Sequence, residues 1–188
     1  SEVLVKVAAV SLNDWDWGLL HGDPVNRIMF GLIKPKKKIL GSDIAGRIEA
    51  IGKNVSKFNI GGEVYGDLSG SWGGLAEYVC APENALALKP SAMSFINAAS
   101  IPQAAMLAVQ GLIDIGQIKQ GQKILINGAG GGVGTFAIQI AKKYGVEVTG
   151  VDSAAKLDML ISLGFDKVID YAKEDFTRNG HRYDLVLD

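Results

Sequence analysis

Five glycines fall within the seven positions Gly128–Gly134 of the segment INGAGGGVGTFAIQIAK (residues 126–142). Glycine has the most backbone freedom to lose on folding, so such a run implies a sharp turn or a close approach of the backbone to something else. The flanks say which. Lys123–Asn127, KILIN, reads as a short buried strand. After the glycines, Val133, Phe136, Ala137, Ile140, Ala141 and Tyr144 recur at i, i+3, i+4, i+7, i+8 and i+11, one apolar stripe of a helix. A P-loop requires G-x-x-x-x-G-K-[ST], and no lysine follows these glycines at the required place. The dinucleotide fingerprint G-x-G-x-x-G fits with alanine first, as Ala129-x-Gly131-x-x-Gly134. In that reading Gly131 lets the backbone approach a pyrophosphate and Gly134 lets the helix pack closely on the strand. Gly132, Val133 and Gly134 then bring free N–H groups and the positive end of the helix dipole to the phosphates.

The end of the following strand, about 20 residues on, chooses the coenzyme in such a unit. Asp152 there suits a ribose 2′-hydroxyl and hence NADH. Ser153 and Lys156 suit a 2′-phosphate and hence NADPH. Each also has a bland alternative: Asp152 as a helix N-cap or first-turn acid, Lys156 as a solvated helix lysine.

Elsewhere the pattern divides in two. In EVLVKVAAV, Val3, Val5 and Val7 alternate with Leu4, Lys6 and Ala8, the period of a strand. DIAGRIEAIG, GGEVYG, GLAEYVC and ALALKP are further short strands bounded by turn residues, as in a small barrel or sandwich. NDWDWGLLHGD reads as a helical turn and a loop, with His21 in the loop; SFINAAS and PQAAMLAVQGLIDIG read as helices. From Lys123 onward strands alternate with helices (VEVTGVD, AAKLDMLISLG, DKVID, YDLVLD), which implies a parallel sheet with crossover helices. The expected organisation is a β-rich domain over residues 1–118 and a doubly wound α/β domain over 119–188. The chain starts and stops beside strands and lacks an initiator Met, so it is expected to be an interior piece of a longer protein.

A formal net charge of -1 offers no field for nucleic acid or anionic lipid. The basic run KPKKK (34–38) is read as a solvated loop, since no aromatic residues interleave with it. No apolar run is long enough to span a bilayer. Cys80, the only cysteine, reads as a small hydrophobe in a strand, and its solitude fits a reducing, cytoplasmic setting.

Taken together, VSLNDWD, LGSDIAGRIEAIGKNV, GGEVYG, GGLAEYV, NGAGGGVGTFAIQIAK and LGFDKVIDY resemble the medium-chain dehydrogenase/reductase family, in its zinc-independent quinone oxidoreductase (zeta-crystallin-like) branch. These segments cover nearly the whole chain in the family's order. The resemblance implies a GroES-like barrel domain followed by a partial Rossmann domain, with the nicotinamide in the cleft between them. It implies that an Asn and an Asp beside the nicotinamide are Asn13 and Asp16. It also implies that the 2′-phosphate is held by Lys156 and Tyr171, which favours NADPH, with NADH possible because of Asp152. The resemblance further suggests a homodimer of the full-length protein.

Zinc-dependent relatives carry a cysteine near the first motif and a histidine in GHE. Here those places read Leu12–Asp14 and Gly41-Ser42-Asp43, and one cysteine with two separated histidines is no usual zinc set, so no metal is expected. Asp43 stands where the family has the acid behind its zinc site; a structural salt bridge is expected for it. Without a Lewis acid, the chemistry expected is hydride transfer from NADPH to a small electron-poor acceptor, a quinone or an enone. Asn13 would bond the carboxamide or an acceptor oxygen, or else cap the short helix that follows it. Trp15, Trp17 and Trp72 are candidates to line the acceptor pocket. The family's pocket tyrosine and nicotinamide-contacting threonine fall at Gly18 and Leu107 here. Two other functions fit the same motifs: a non-catalytic NADPH-binding structural or sensing protein, and an NAD-linked, zinc-free alcohol or aldehyde dehydrogenase.

Overall fold

The valine alternation at the start of the chain becomes strand β1 (Glu2–Ser11), with Val3 and Val5 buried and Lys6 exposed. A computed structural model describes residues 1–22, 24, 27, 28, 31, 36 and 38–188. Of the KPKKK run, only Lys36 and Lys38 are among the described residues, and both are exposed; the rest of that expectation lies outside them. The chain divides into two units, Ser1–Gln103 and Ala104–Asp188, each with its own sheet.

In the first unit, β1 pairs with β2 (Asp43–Ile51) on one side and β4 (Tyr78–Pro82) on the other. Strands β3 (Glu63–Asp67) and β5 (Leu86–Leu88) complete an antiparallel sheet of order β4-β1-β2-β3-β5. Val3, Val5, Ile44, Ile48, Val64 and Leu68 fill its core. GLAEYVC was expected to be strand throughout, yet Gly74–Glu77 lies outside β4. The Gly74 and Leu75 N–H groups donate to the carbonyls of Gly41 and Leu40 instead, which ties this segment to the loop before β2. Helix α1 (Asp14–His21) is a true helix ended by Gly22 in the left-handed region (φ 63°). His21 therefore sits in a helical turn, not a loop, with its ring 4.8 Å from that of Trp17. Cys80 lies in a strand as expected, but on its exposed face. Helix α2 (Phe95–Ala99) is capped by the Ser94 hydroxyl, which accepts the Asn97 N–H.

In the second unit, β6 (Lys123–Asn127), β7 (Glu147–Asp152), β8 (Lys167–Asp170) and β9 (Leu185–Leu187) form a parallel sheet of order β8-β7-β6-β9. This is the strand order of the first part of a doubly wound nucleotide-binding sheet, with the switch point beside β6. Helix α4 (Gly132–Lys143) lays Ala137, Ile138 and Ala141 on Ile124, Ile126 and Val148. The opposite face buries Leu125, Val151 and Ile169 under Phe176 and Tyr183, so the sheet is covered on both sides. Helix α5 (Leu157–Leu163) ends at Gly164, again left-handed, and follows a 3-10 turn, Ala154–Lys156.

PQAAMLAVQGLIDIG is not one α-helix. Helix α3 (Pro102–Val109) runs into a π-helical turn, Gln110–Ile115. Two glycines make room for β9: a Cβ at Gly111 would stand 2.6 Å from Leu187 Cδ1, and one at Gly116 2.6 Å from Leu185 Cδ2. Ala108, Leu112 and Ile118 share the core of the parallel sheet. The packing boundary thus falls ahead of the 118/119 division expected from sequence, because the apolar side chains of this segment are buried with the second unit.

Candidate functional site

The glycine turn follows β6 at its C-terminal end. Gly128 is left-handed (φ 69°), and the Gly131 N–H donates to its carbonyl at 2.9 Å. Gly131 is the N-cap of α4 and has no side chain to cap it. The N–H groups of Gly132, Val133 and Gly134, the first turn of the helix, therefore have no intrahelical acceptor. Gly134 is required sterically, since a Cβ there would collide with the carbonyl oxygen of Ala129. Ala129 is fully buried, and its N–H is used by the Val151 carbonyl. These features leave an open cradle of backbone donors that suits a pyrophosphate.

Asp152, Ser153, Lys156 and Tyr171 gather beside this turn. Burial pushes the Asp152 carboxyl up, but the N–H groups of Ser153 and Gly130 and the Lys156 ammonium outweigh it and hold the group below its ordinary value. Ser153 precedes the 3-10 turn and makes no side-chain cap bond. Lys156 is half-exposed and paired with Asp152. Tyr171 follows β8 with its ring largely exposed, and its N–H donates to the Asp152 carbonyl at 3.3 Å. Lys156 and Tyr171 are exposed in this corner, and Ser153 is half-buried. Gly130, which sequence reasoning passed over, belongs to it too: its N–H donates to Asp152 Oδ2 at 2.8 Å.

A second cluster surrounds the start of α1. Asn13 occupies the N-cap position and forms a capping box with Asp16, while its Nδ2 donates to Ser42 Oγ at 3.3 Å. Asp16 is 3% exposed, and both its oxygens are used: Oδ2 by the Asn13 N–H at 2.9 Å and Oδ1 by the Gly41 N–H at 2.8 Å. The expected salt bridge of Asp43 is not found; no cation pairs with it among the described residues. Its Oδ2 accepts the Gln103 N–H at 3.1 Å, while Oδ1 is buried without a hydrogen-bond partner. Burial pushes this carboxyl up to about 6, against the pull of the Gln103 N–H and the Asn13 amide.

Asn13 and Asp16 form the polar end of a groove of about 420 Å³, whose apolar wall includes Trp17, Leu20, Ile39 and Leu75, with Lys38 also lining it. Of the three candidate tryptophans only Trp17 lines this groove. Trp15 faces outward on α1, and Trp72 is buried with a left-handed backbone (φ 63°).

Comparison with known proteins agrees with both halves. Residues 1–91 match the alcohol dehydrogenase GroES-like domain, and residues 132–188 match the zinc-binding dehydrogenase domain. The quinone oxidoreductase from Coxiella burnetii superposes with a TM-score of 0.90 at 35% identity, over 100% of this chain and 59% of that one. The chain belongs to the medium-chain dehydrogenase/reductase family, in its quinone oxidoreductase branch. Among its relatives in this family is the 2-methylene-furan-3-one reductase of Solanum lycopersicum, 37% identical over 100% of this chain and 49% of the relative. Another is the chloroplastic NADPH-dependent alkenal/one oxidoreductase of Arabidopsis thaliana, 36% identical over 100% and 49%. The chain thus spans about half the length of these relatives.

The family's metal-dependent members hold zinc with cysteine and histidine. At the corresponding places this chain offers Asn13, Ser42 and Asp43, and the Ser42 hydroxyl already accepts the Asn13 amide. That donor set lacks the thiolate and imidazole that suit zinc. Among the described residues no three His, Cys, Asp or Glu side chains are grouped as metal ligands.

Proposed function

We propose that the whole protein is an NADPH-dependent reductase that transfers hydride to a quinone or an α,β-unsaturated carbonyl without a catalytic metal. The carrying observation is the uncapped first turn of α4, Gly132–Gly134, beside the exposed Lys156 and Tyr171. The names of its relatives, a furanone reductase, an alkenal/one oxidoreductase and a quinone oxidoreductase, support an electron-poor acceptor.

NADPH, when bound, supplies the hydride. The N–H groups of Gly132, Val133 and Gly134 would bind its pyrophosphate, with Ala129 and Gly131 shaping the turn. Ser153, Lys156 and Tyr171 would hold the 2′-phosphate, Lys156 as the charge and the other two as hydroxyl donors. The acceptor would lie in the apolar groove along Trp17 and Leu75. The Asn13 amide, which bonds Ser42 and Asp43, would turn one N–H to the acceptor oxygen as negative charge develops there. Asp16, with both oxygens on backbone N–H groups, would act by positioning Asn13.

In this scheme residues 1–118 serve the acceptor and 119–188 the coenzyme. A homodimer, drawn from the family resemblance, and cytoplasmic residence, drawn from the lone Cys80, complete the proposal. Among the described residues no helix is long and apolar enough to cross a membrane.

The test is steady-state oxidation of NADPH by the full-length protein across a panel of quinones and enones. Turnover of at least one acceptor class is expected. Tight NADPH binding with no turnover on the panel would replace this function with a structural or sensing one.

A further inference from the structure

An acidic side chain at the end of β7 ordinarily serves a ribose 2′-hydroxyl and so disfavours a 2′-phosphate. Asp152 occupies that place, but its carboxylate is turned to other partners. Oδ2 accepts the Gly130 N–H at 2.8 Å, and Oδ1 accepts the Ser153 N–H at 2.8 Å. Lys156 Nζ lies 3.3 Å from Oδ1 and 3.5 Å from Oδ2. Three hydrogen bonds and the contact of the same Lys156 ammonium with Oδ1 engage both oxygens. The side chain is only 8% exposed. A ribose hydroxyl would have to displace one of these partners.

The same residue touches every part of the corner. It holds the glycine turn through Gly130, the ammonium of Lys156 directly, and Tyr171 through its main-chain carbonyl. The stem of Lys156 lies across Gly130 so closely that a Cβ there would stand 2.5 Å from Lys156 Cδ. The absence of a side chain at position 130 is thus part of what places the lysine.

We propose that Asp152 is a positioning residue that tempers coenzyme selectivity: it competes with the 2′-phosphate of NADPH for the Lys156 ammonium instead of binding ribose. This rests on the reading of Lys156 as a 2′-phosphate ligand. A phosphate that reaches Lys156 must share it with a carboxylate already in contact. That carboxylate is tethered by two backbone N–H groups and does not withdraw with the change of partner. Its negative charge acts on the 2′-phosphate of NADPH and has no such group to oppose in NADH.

The experiment is calorimetric titration of full-length protein with NADPH and with NADH, for wild type, Asp152→Asn, Gly130→Ala and Lys156→Met, each checked for folding by its thermal transition. Asp152→Asn is expected to tighten NADPH about threefold to fivefold, the scale of a partly exposed ion pair, while NADH moves less than twofold. Gly130→Ala, whose Cβ would press on the lysine stem and stand 3.0 Å from Asp152 Oδ2 while keeping the carboxylate's charge, is expected to weaken NADPH more than NADH; equal effects on both would count against the inference. It keeps the inference testable should Asp152→Asn not fold. Weaker NADH binding by Asp152→Asn would make Asp152 a ribose ligand, and equal weakening of both coenzymes would make it only a pin for the turn; either result overturns the proposal. Should Lys156→Met leave NADPH binding unchanged, the reading of Lys156 falls and the inference with it. A wild-type-like NADPH affinity in Asp152→Asn alone, with Lys156→Met impaired, overturns the inference and leaves that reading standing.

Discussion

The carboxylate of Asp16 accepts the backbone N–H of Gly41 at 2.8 Å, across a separation of 25 residues. Its other oxygen accepts the N–H of Asn13, so one buried side chain joins the start of α1 to the loop before β2. That loop is in turn bound to Gly74 and Leu75 through the carbonyls of Gly41 and Leu40. The groove walls therefore hang on Asp16. Asp16→Ala leaves two N–H groups without acceptors and is expected to cost about 2–3 kcal/mol, read from denaturant unfolding. A loss below about 0.5 kcal/mol would show that water replaces the carboxylate freely.

Asn13 differs from Asp16 in bringing N–H donors to the groove. Asn13→Ala is expected to lower kcat toward a quinone or enone by about a hundredfold, the scale of one lost oxyanion donor, with NADPH affinity unchanged. Because Asn13 also forms a capping box with Asp16, the variant is expected to lose about 0.5–2 kcal/mol of stability as well. A large fall in stability with normal kcat would reduce Asn13 to a structural residue.

Asp43 gives a pH signature. Burial, aided by Asp67 and Asp16, pushes its carboxyl up to about 6 from 3.8, although the Gln103 N–H and the Asn13 amide pull it down. Between those values the native state keeps a proton that the unfolded chain has lost. The stabilising contribution is therefore fully present below about pH 4 and is lost as pH rises through about 6. Asp43→Asn removes this slope, so variant stability relative to wild type should rise by roughly 2–3 kcal/mol between pH 4 and 7. Parallel stability curves for the two proteins over that range would contradict it.

Gly134→Ala tests the turn. Its Cβ would meet the backbone of Ala129, which has no flexible end to give way, so helix α4 must move off β6. Overpacking of this kind costs about 1–3 kcal/mol. Both NADPH and NADH should bind more weakly, since the phosphate donors at Gly132 and Val133 move with the helix. Retained affinity would place the pyrophosphate elsewhere.

Trp17 forms part of the groove wall. Trp17→Ala is expected to raise KM for an apolar acceptor by about three- to tenfold, as loss of part of an aromatic contact surface implies. Coenzyme affinity should not change. An equal KM for wild type and variant would move the acceptor off this wall.

The coenzyme half of the molecule was largely legible from the chain. The glycine spacing, the strand before it and the apolar stripe after it are local patterns, and local patterns dictate a βαβ turn. Family spacing points to Lys156 and Tyr171, and the parallel register of β7 and β8 sets the Tyr171 N–H on the carbonyl of Asp152, the residue that pairs with Lys156. What was missed depends on contacts distant in sequence. Asp43 was expected in a salt bridge, but burial surrounds it with a backbone N–H and other acids. Trp72 was a groove candidate, but its chain folds it inward. The π turn after α3 arises from the packing of Gly111 and Gly116 on β9.

Sequence alone therefore determined the order of elements, the two sheets and the place of the glycine turn, because period, capping and glycine placement act within a few residues. Tertiary structure decided which acids are occupied and which donors remain free. Asp16 and Asp152 read from the chain as candidate ligands, yet each has its oxygens taken by backbone N–H groups or a lysine. Asn13 reads equally well as a cap and as a polar ligand, and the fold has it form a capping box with Asp16 while giving an amide N–H to Ser42. A polar side chain's partners come from whichever segments fold against it, and only the assembled fold sets those distances.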